Sequence, residues 1–225
     1  MSAAANESPS KDPLTRDRVL AGAVALADRV GIEGFTIRKL ATELDVRPMT
    51  IYHHVANKEA IVDGMVDRVF GEIDSPPADS DWRSAMRKRC RSARRVLGDH
   101  AWATPLMESR TTPGQETLHH HDAVIGCFRR GGFSIEMAAH AYALIDSFIY
   151  GFALQEASLP APEAGELADL AETIIEPLPT GMFPYLTELT TEHILKPGYD
   201  FGDEFDFGLN LILDSLQSAA GRPDQ

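Results

Sequence analysis

Apolar side chains recur every three or four positions along almost the whole of this chain, and that spacing commits it to helices. "TRDRVLAGAVALADRV" puts Val19, Ala23, Leu26, Ala27 and Val30 on one side, with Thr15 placed to cap the first turn. Gly31 and Gly34 interrupt the pattern. Phe35 and Thr36 then open "TIRKLATEL", whose Ile37, Leu40, Ala41 and Leu44 form a second stripe. After Asp45-Val46 a short third helix begins with Pro48 in its first turn, where a missing N–H costs nothing. Asn57 is placed to cap a fourth, with Ile61, Met65, Val66 and Val69 as its apolar side. No alternating strand pattern and no internal repeat competes, so the expected fold class is all-α.

The turn-rich run "DSPPADSD" marks a boundary. Beyond it lies "WRSAMRKRCRSARRVLGD", a helix with seven Lys/Arg between Arg83 and Arg95, interleaved with Met86, Cys90 and Val96 and read as amphipathic with a solvated, salt-bridged face. Further helices are expected over "QETLHHHDAVIGCFRR", over "IEMAAHAYALIDSFIYGFALQEA" with Ser134 as its cap, within "PTGMFPYLTELTTEHI", and over "EFDFGLNLILDSLQSAA". "SLPAPEAGEL" reads as a loop. The organisation is therefore a disordered arm over 1–13, a helix-turn-helix domain over 14–60, a connecting helix over 61–73, a linker loop over 74–81, a larger helical domain over 82–220 and a tail over 221–225.

No stretch approaches 18 uninterrupted apolar residues, and the first residues lack the basic-then-apolar order of a secretory signal, so a cytoplasmic chain without a membrane partner is expected. Cys90 and Cys127 have no metal-ligand spacing and read as buried free thiols. A net charge of −13 argues against a nucleic-acid partner only until its distribution is counted. Residues 1–60 carry eight Lys/Arg against eight Asp/Glu, leaving 13 against 26 for the rest. The first part is neutral and can still present a basic face to phosphates.

The second and third helices are separated by only a few residues, the arrangement in which a second helix enters the major groove of duplex DNA. Within it Ile51, His54 and Val55 face inward, Met49, Thr50 and His53 face outward, and Pro48 and Tyr52 lie on a flank. Thr50 can bond a base edge and Met49 can touch a thymine methyl. Tyr52 and His53 can donate to phosphate, or His53 to a purine acceptor. Lys58 is a natural phosphate contact, Thr36 sits at a helix start, and Arg38 and Lys39 lie where the second helix would cross the backbone.

The stretch "GIEGFTIRKLATELDVRPMTIYHHVANKEAIVD" resembles the amino-terminal domain of the TetR family of bacterial repressors, through Gly-x-x-Gly-Phe-Thr, Leu40-Ala41, Leu44, Val46, Ile51-Tyr52-x-His54-Val55 and Lys58-Glu59. The resemblance implies phosphate contacts at Tyr52 and Lys58, and sequence preference set by Pro48, Met49, Thr50 and His53. Two departures stand out. Arg47 occupies a position often held by a Ser or Thr cap, and would itself reach a phosphate. Pro48 replaces a residue able to touch bases.

In this family the carboxy-terminal domain binds a small molecule and forms the homodimer. "DSFIYGFALQEASLP" and "FDFGLNLILDSL" look like the tetracycline-responsive subfamily, which implies a four-helix dimer interface involving Phe148, Phe152, Leu209, Leu213 and Leu216. Ile145, Ile149 and Ile212 widen those apolar faces. Candidate pocket residues are His100, Trp102, Met107, Arg110, His119 with its neighbours His120 and His121, Phe128, Tyr142 and Phe183. His100 lies near the place where tetracycline repressors ligate a ligand-bound magnesium ion, but the other polar partners are not evident. No cofactor or metal is expected, and an apolar or aromatic effector is. His119, His120 and His121 point about 100° apart on a helix and cannot all converge on one ion.

The resulting expectation is a dimeric, effector-released repressor on a near-palindromic double-stranded operator. A small helical enzyme built on His119, His121 and Asp122 is the rival from another class, and it lacks a nucleophile–base pair. A helical adaptor is the other, and it leaves the stretch from Thr36 to Lys58 without a reason.

Overall fold

The computed structural model describes residues 13–160, 166–179 and 181–220, without the side chains of 166 and 167. The expected arm over 1–13, all but its last residue, and the tail over 221–225 lie outside the described residues. Every regular element among the described residues is helical. α1 (Arg16–Gly34), α2 (Ile37–Glu43), α3 (Pro48–Ile51) and α4 (Lys58–Glu72) make the head and its exit. α5 (Trp82–Asp99), a 3₁₀ turn (Thr104–Leu106), α6 (Gln115–Arg130), α7 (Ile135–Ala157), α8 (Glu166–Ile175), α9 (Pro184–Leu189) with a π turn (Thr190–Ile194), and α10 (Asp203–Ala220) make the body.

Side-chain caps set the helix starts. Thr15 accepts from the N–H of Arg18, Thr36 from Lys39, Asn57 from Ala60, Asp81 from Ser84 and Ser134 from Met137. α1 kinks at Gly31, whose φ is +71°. Residues 168–175, for which the sequence reading offers no element, belong to α8.

The head packs Val19, Ala23, Leu26, Phe35, Leu40, Ile51 and Ile61 into one core, all nearly inaccessible. α4 leaves that core and lies against both α1 and α6, so one rigid helix joins head to body. In the body α7 packs against α5, α6 and α10. Arg94 knits three of its parts together: it pairs with Glu156, donates to the Gly202 carbonyl at 2.8 Å, and lies 5.1 Å over the rings of Phe152 and Phe205. α10 approaches α7 closely at Gly208, where a Cβ would fall 2.8 Å from the Phe148 ring. α7 is also the one helix among the described residues long and apolar enough to cross a membrane by length and composition.

Two sequence expectations change here. The solvated face assigned to α5 excludes Arg89, which is 1% exposed and points into the body. Its place three residues after Met86 puts it on the apolar stripe. Leu209, Leu213 and Leu216 face the protomer's own core and are buried, as is Phe152, while Phe148 is half-buried. The large apolar residues exposed on α7 and α10 are Ile135, at the start of α7, with Leu144, Leu154, Phe207 and Leu211.

Candidate nucleic-acid interface and effector cavity

α2 and α3 are joined by a turn through Asp45, whose φ of +52° is tolerated by a short polar side chain. The Val46 N–H closes the turn on the Ala41 carbonyl at 2.9 Å. α3 is one turn long, and hydrogen-bonded turns carry the chain on through His54 and Val55 to Ile51. Ile51 and Val55 are buried, which leaves Pro48, Met49, Tyr52 and His53 exposed and Thr50 half-exposed on the outer side. Met49 is 69% exposed, so its side chain is available at this surface. Arg47 makes no cap, as its chemistry requires, and is exposed.

Around this surface the cations are exposed and lightly held. Lys58 Nζ lies 5.8 Å over the Phe35 ring. Lys39 turns back to the Gly34 carbonyl at 2.9 Å. Arg38 is exposed, and Thr36 spends its hydroxyl on the α2 cap.

In the body a cavity of about 150 Å³ lies between α4, the segment 107–114 and α6. Asp63, Val66, Met107, Glu108, Arg110 and His121 are among its walls. A wider groove of about 470 Å³ runs along α5, open to solvent. Its cations are engaged by neighbours: Arg87 with Asn210, Lys88 with Asp74, Arg91 with Asp206 and Arg95 with Asp99. It is a solvated ion-paired face, and the smaller, more enclosed cavity is the better ligand candidate.

One segment both walls the cavity and grips α4. Arg110 donates from Nε to Asp63 at 2.6 Å and from Nη2 to Glu59 at 2.9 Å. One turn further along α4, Asp67 accepts from the backbone N–H and the hydroxyl of Thr117 at 2.8 and 2.9 Å, capping α6 from another helix. Gly114 makes that approach feasible, since a Cβ there would fall 2.2 Å from the Asp67 carboxyl. Glu59, Asp63 and Asp67 are four residues apart and share one face of α4.

The pocket candidates read from sequence separate into groups. Met107 and Arg110 line the cavity. Tyr142 hydrogen-bonds His121, which lines it too. His119 is exposed, so the inward members of the histidine run are His120 and His121. Phe128 is sealed in the core against Trp82 and Phe133. Phe183 is exposed at the start of α9.

His100 and Trp102 form the junction between head and body instead. His100 Nδ1 pairs with Asp28 of α1 at 2.7 Å and Nε2 with Glu72 of α4 at 3.1 Å, while Trp102 Nε1 donates to the same Asp28 at 2.6 Å. Burial disfavours the charged ring, but the two carboxylate hydrogen bonds outweigh it and hold His100 above its ordinary value. With both ring nitrogens engaged by carboxylates outside the cavity, His100 does not fit a magnesium–ligand role.

Sequence reasoning missed the polar centre of the body. Arg89 donates to Asp146 at 2.8 Å and to His120 Nε2 at 3.1 and 2.8 Å. The signal was a lone acid within the otherwise apolar core of α7 opposite an arginine on the apolar stripe of α5.

The amino-terminal region, residues 19–65, matches the model of the tetR family of bacterial regulatory proteins. Residues 75–219 match the tetracyclin repressor-like C-terminal domain. The chain belongs to the TetR family. Among its relatives is the HTH-type transcriptional repressor DrrR1 of Streptomyces coeruleorubidus, 30% identical over 93% of this chain and 80% of that protein. The class A tetracycline repressor from transposon 1721 of Escherichia coli is 29% identical, over 90% of both chains. The crystal structure of the Streptomyces coelicolor TetR-family protein ActR in complex with actinorhodin superposes with a TM-score of 0.76 at 29% identity, covering 93% of this chain and all of that one. As a TetR-family member this chain is a ligand-responsive DNA-binding regulator of the repressor type rather than an enzyme.

Proposed function

We propose that the chain works as a homodimeric repressor on a near-palindromic operator in the cytoplasm, and that a small, mostly apolar or aromatic effector in the cavity between α4 and α6 releases it. The observation that carries this reading is the grip of segment 107–117 on α4 at Glu59, Asp63 and Asp67. A ligand that reshapes the cavity wall acts on the helix whose first residue is Lys58. It lowers operator affinity only as far as it prefers the α4 position that DNA does not. ActR, solved with actinorhodin bound, supports an effector site in this body.

On the operator, Pro48, Met49, Thr50 and His53 face the bases. Tyr52, Lys58, Arg47, Arg38, Lys39 and the Thr36 end of α2 face the phosphates. Two heads would enter successive major grooves about 34–36 Å apart. The outer faces of α7 and α10 support the dimer. On α7 the exposed Ala143, Leu144, Ser147, Gly151 and Leu154 form a stripe of small and apolar residues, matched on α10 by Phe207 and Leu211.

The test is fluorescence anisotropy with duplex DNA from upstream of the protein's own gene, at two salt concentrations, beside scrambled DNA and a Tyr52→Ala/Lys58→Ala double variant. Selective binding that salt and the substitutions both weaken is expected. Binding indifferent to sequence and to both substitutions, followed by failure of a genome-wide oligonucleotide selection, would sink the reading.

A further inference from the structure

Three helices each send one polar side chain into the middle of the body: Arg89 from α5, His120 from α6 and Asp146 from α7, all buried. Arg89 Nη1 donates to Asp146 Oδ1, and its Nε and Nη2 both meet His120 Nε2. An arginine has only donors to give, so His120 Nε2 is an acceptor. Burial, then the Arg89 charge, hold the ring neutral by lowering its value to about 3. A neutral imidazole with an accepting Nε2 carries its proton on Nδ1.

That assignment gives the platform two loose ends of opposite sense. His120 Nδ1–H is a buried donor and Asp146 Oδ2 a buried acceptor, and neither has a hydrogen bond within 3.5 Å among the described residues, although the Tyr142 hydroxyl is near enough to feel the Asp146 carboxylate. Each such group is costly when left dry and unpaired. A hydroxyl is the smallest group that answers both, because it donates once and accepts as well.

The surroundings favour an aromatic carrier for it. The Phe70 ring lies 5.5 Å from His120 and 5.3 Å from His121, and Tyr142 lies 5.6 Å from His121. Tyr142, Asp146 and Tyr150 are four residues apart on α7. Tyr142 bonds His121, and Tyr150 donates to Glu108 at 3.3 Å. His121 and Glu108 are cavity walls, so the platform stands one hydrogen-bonded layer behind the cavity. At about 150 Å³ the cavity matches an engineered apolar cavity of roughly that size that holds a benzene ring. Burial and the Asp146 charge push the phenols of Tyr142 and Tyr150 upward, so a phenol in this environment stays neutral.

We propose that Arg89, His120 and Asp146 form the polar floor of the effector site, selecting a neutral phenol whose hydroxyl donates to Asp146 Oδ2 and accepts from His120 Nδ1–H. The assignment rests on the reading of the body as an effector-binding domain and names the chemistry that domain takes. A phenol reaches the floor by turning the His121 and Tyr142 side chains apart.

The experiment uses the full chain without DNA and three probes of nearly equal apolar bulk: 4-ethylphenol, 4-ethylanisole and ethylbenzene. The first donates and accepts, the second only accepts, the third does neither. Calorimetric titration is expected to give 4-ethylphenol at least tenfold tighter binding than either, a preference that His120→Phe removes. That variant strips Arg89 of an acceptor and can fail to fold, so a second readout uses the wild-type chain with nitrogen-15-labelled histidine. It is expected to show one histidine in the neutral Nδ1–H form, assigned to His120 through its Nε2 acceptor shift, moved by 4-ethylphenol and not by ethylbenzene. Equal affinities, no binding of any probe, or a charged or Nε2–H His120 overturns the proposal. Operator binding retained alongside such a result faults the polar floor alone. Phenol selectivity in a chain that selects no operator faults the repressor reading and leaves the floor standing.

Discussion

Two histidines of this chain titrate against folding in opposite senses. His100 is held above its ordinary 6.5 by Asp28 and Glu72, so the folded state binds its proton more tightly than the unfolded chain does. Its contribution is complete below about pH 6.5, the unfolded value, and is lost as pH rises through the folded one. His120 is lowered to about 3, so the unfolded chain takes up a proton first as pH falls. That contribution is complete above about pH 6.5 and is lost on the way down toward 3. Urea midpoints across pH should therefore decline on both sides. His100→Gln should flatten the alkaline decline and leave the acid one. An alkaline limb identical in variant and wild type would remove His100 as its source. Because His100 ties α1 to α4 through one ring, the same titration loosens the head from the body.

Among the elements, α4 is the member on which head and body both act, and its acidic face can be tested one turn at a time. Asp67→Ala removes the cap of α6 supplied from outside that helix, with an expected loss of about 1 kcal/mol in urea unfolding. Arg110→Ala leaves Asp63, a half-buried carboxyl, without its 2.6 Å partner. It should cost about 1–3 kcal/mol, and amide exchange in the first turns of α4 should quicken while that of α1 does not. Unchanged exchange in α4 would mean that Arg110 does not hold it. Much of this architecture was legible in the residues. Thr15, Thr36, Asn57 and Ser134 cap the helices that their spacing announced, and Ile51 and Val55 face inward while Met49 faces out. Sidedness was harder. α10 is apolar on two faces, and periodicity does not say which meets its own core: the sequence assigns Leu209, Leu213 and Leu216 to an interface, whereas the fold buries them in the protomer's own core and turns Phe207 and Leu211 outward. His119 and His120 differ by one helical step of about 100°, and only the packing of α6 on α4 decides which is buried. The cavity stayed hidden because its walls come from α4, α6 and a loop far apart in sequence.

For the whole molecule, the proposed dimer recognises its operator through two heads held at a fixed separation. One head offers a one-turn recognition helix and a handful of cations, which is little to hold duplex DNA at physiological salt. In the proposed dimer, joining two through the α7 and α10 faces would make the second encounter intramolecular, a gain on the order of 10²–10⁴ in affinity with no new DNA contact. Leu144→Glu with Leu211→Glu places two carboxylates on those outer faces without touching Leu209, Leu213 or the head core. Sedimentation should then show a monomer of undiminished helicity, and operator affinity should fall by about a hundredfold or more. The salt dependence separates this from damage to the head. A dimer that loses Lys58 from both heads gives up about two units of slope in log affinity against log salt. A monomer of intact heads keeps about half the wild-type slope. A variant that stays dimeric, or a monomer that binds operator as tightly as the wild type, would place the assembly surface elsewhere on the body.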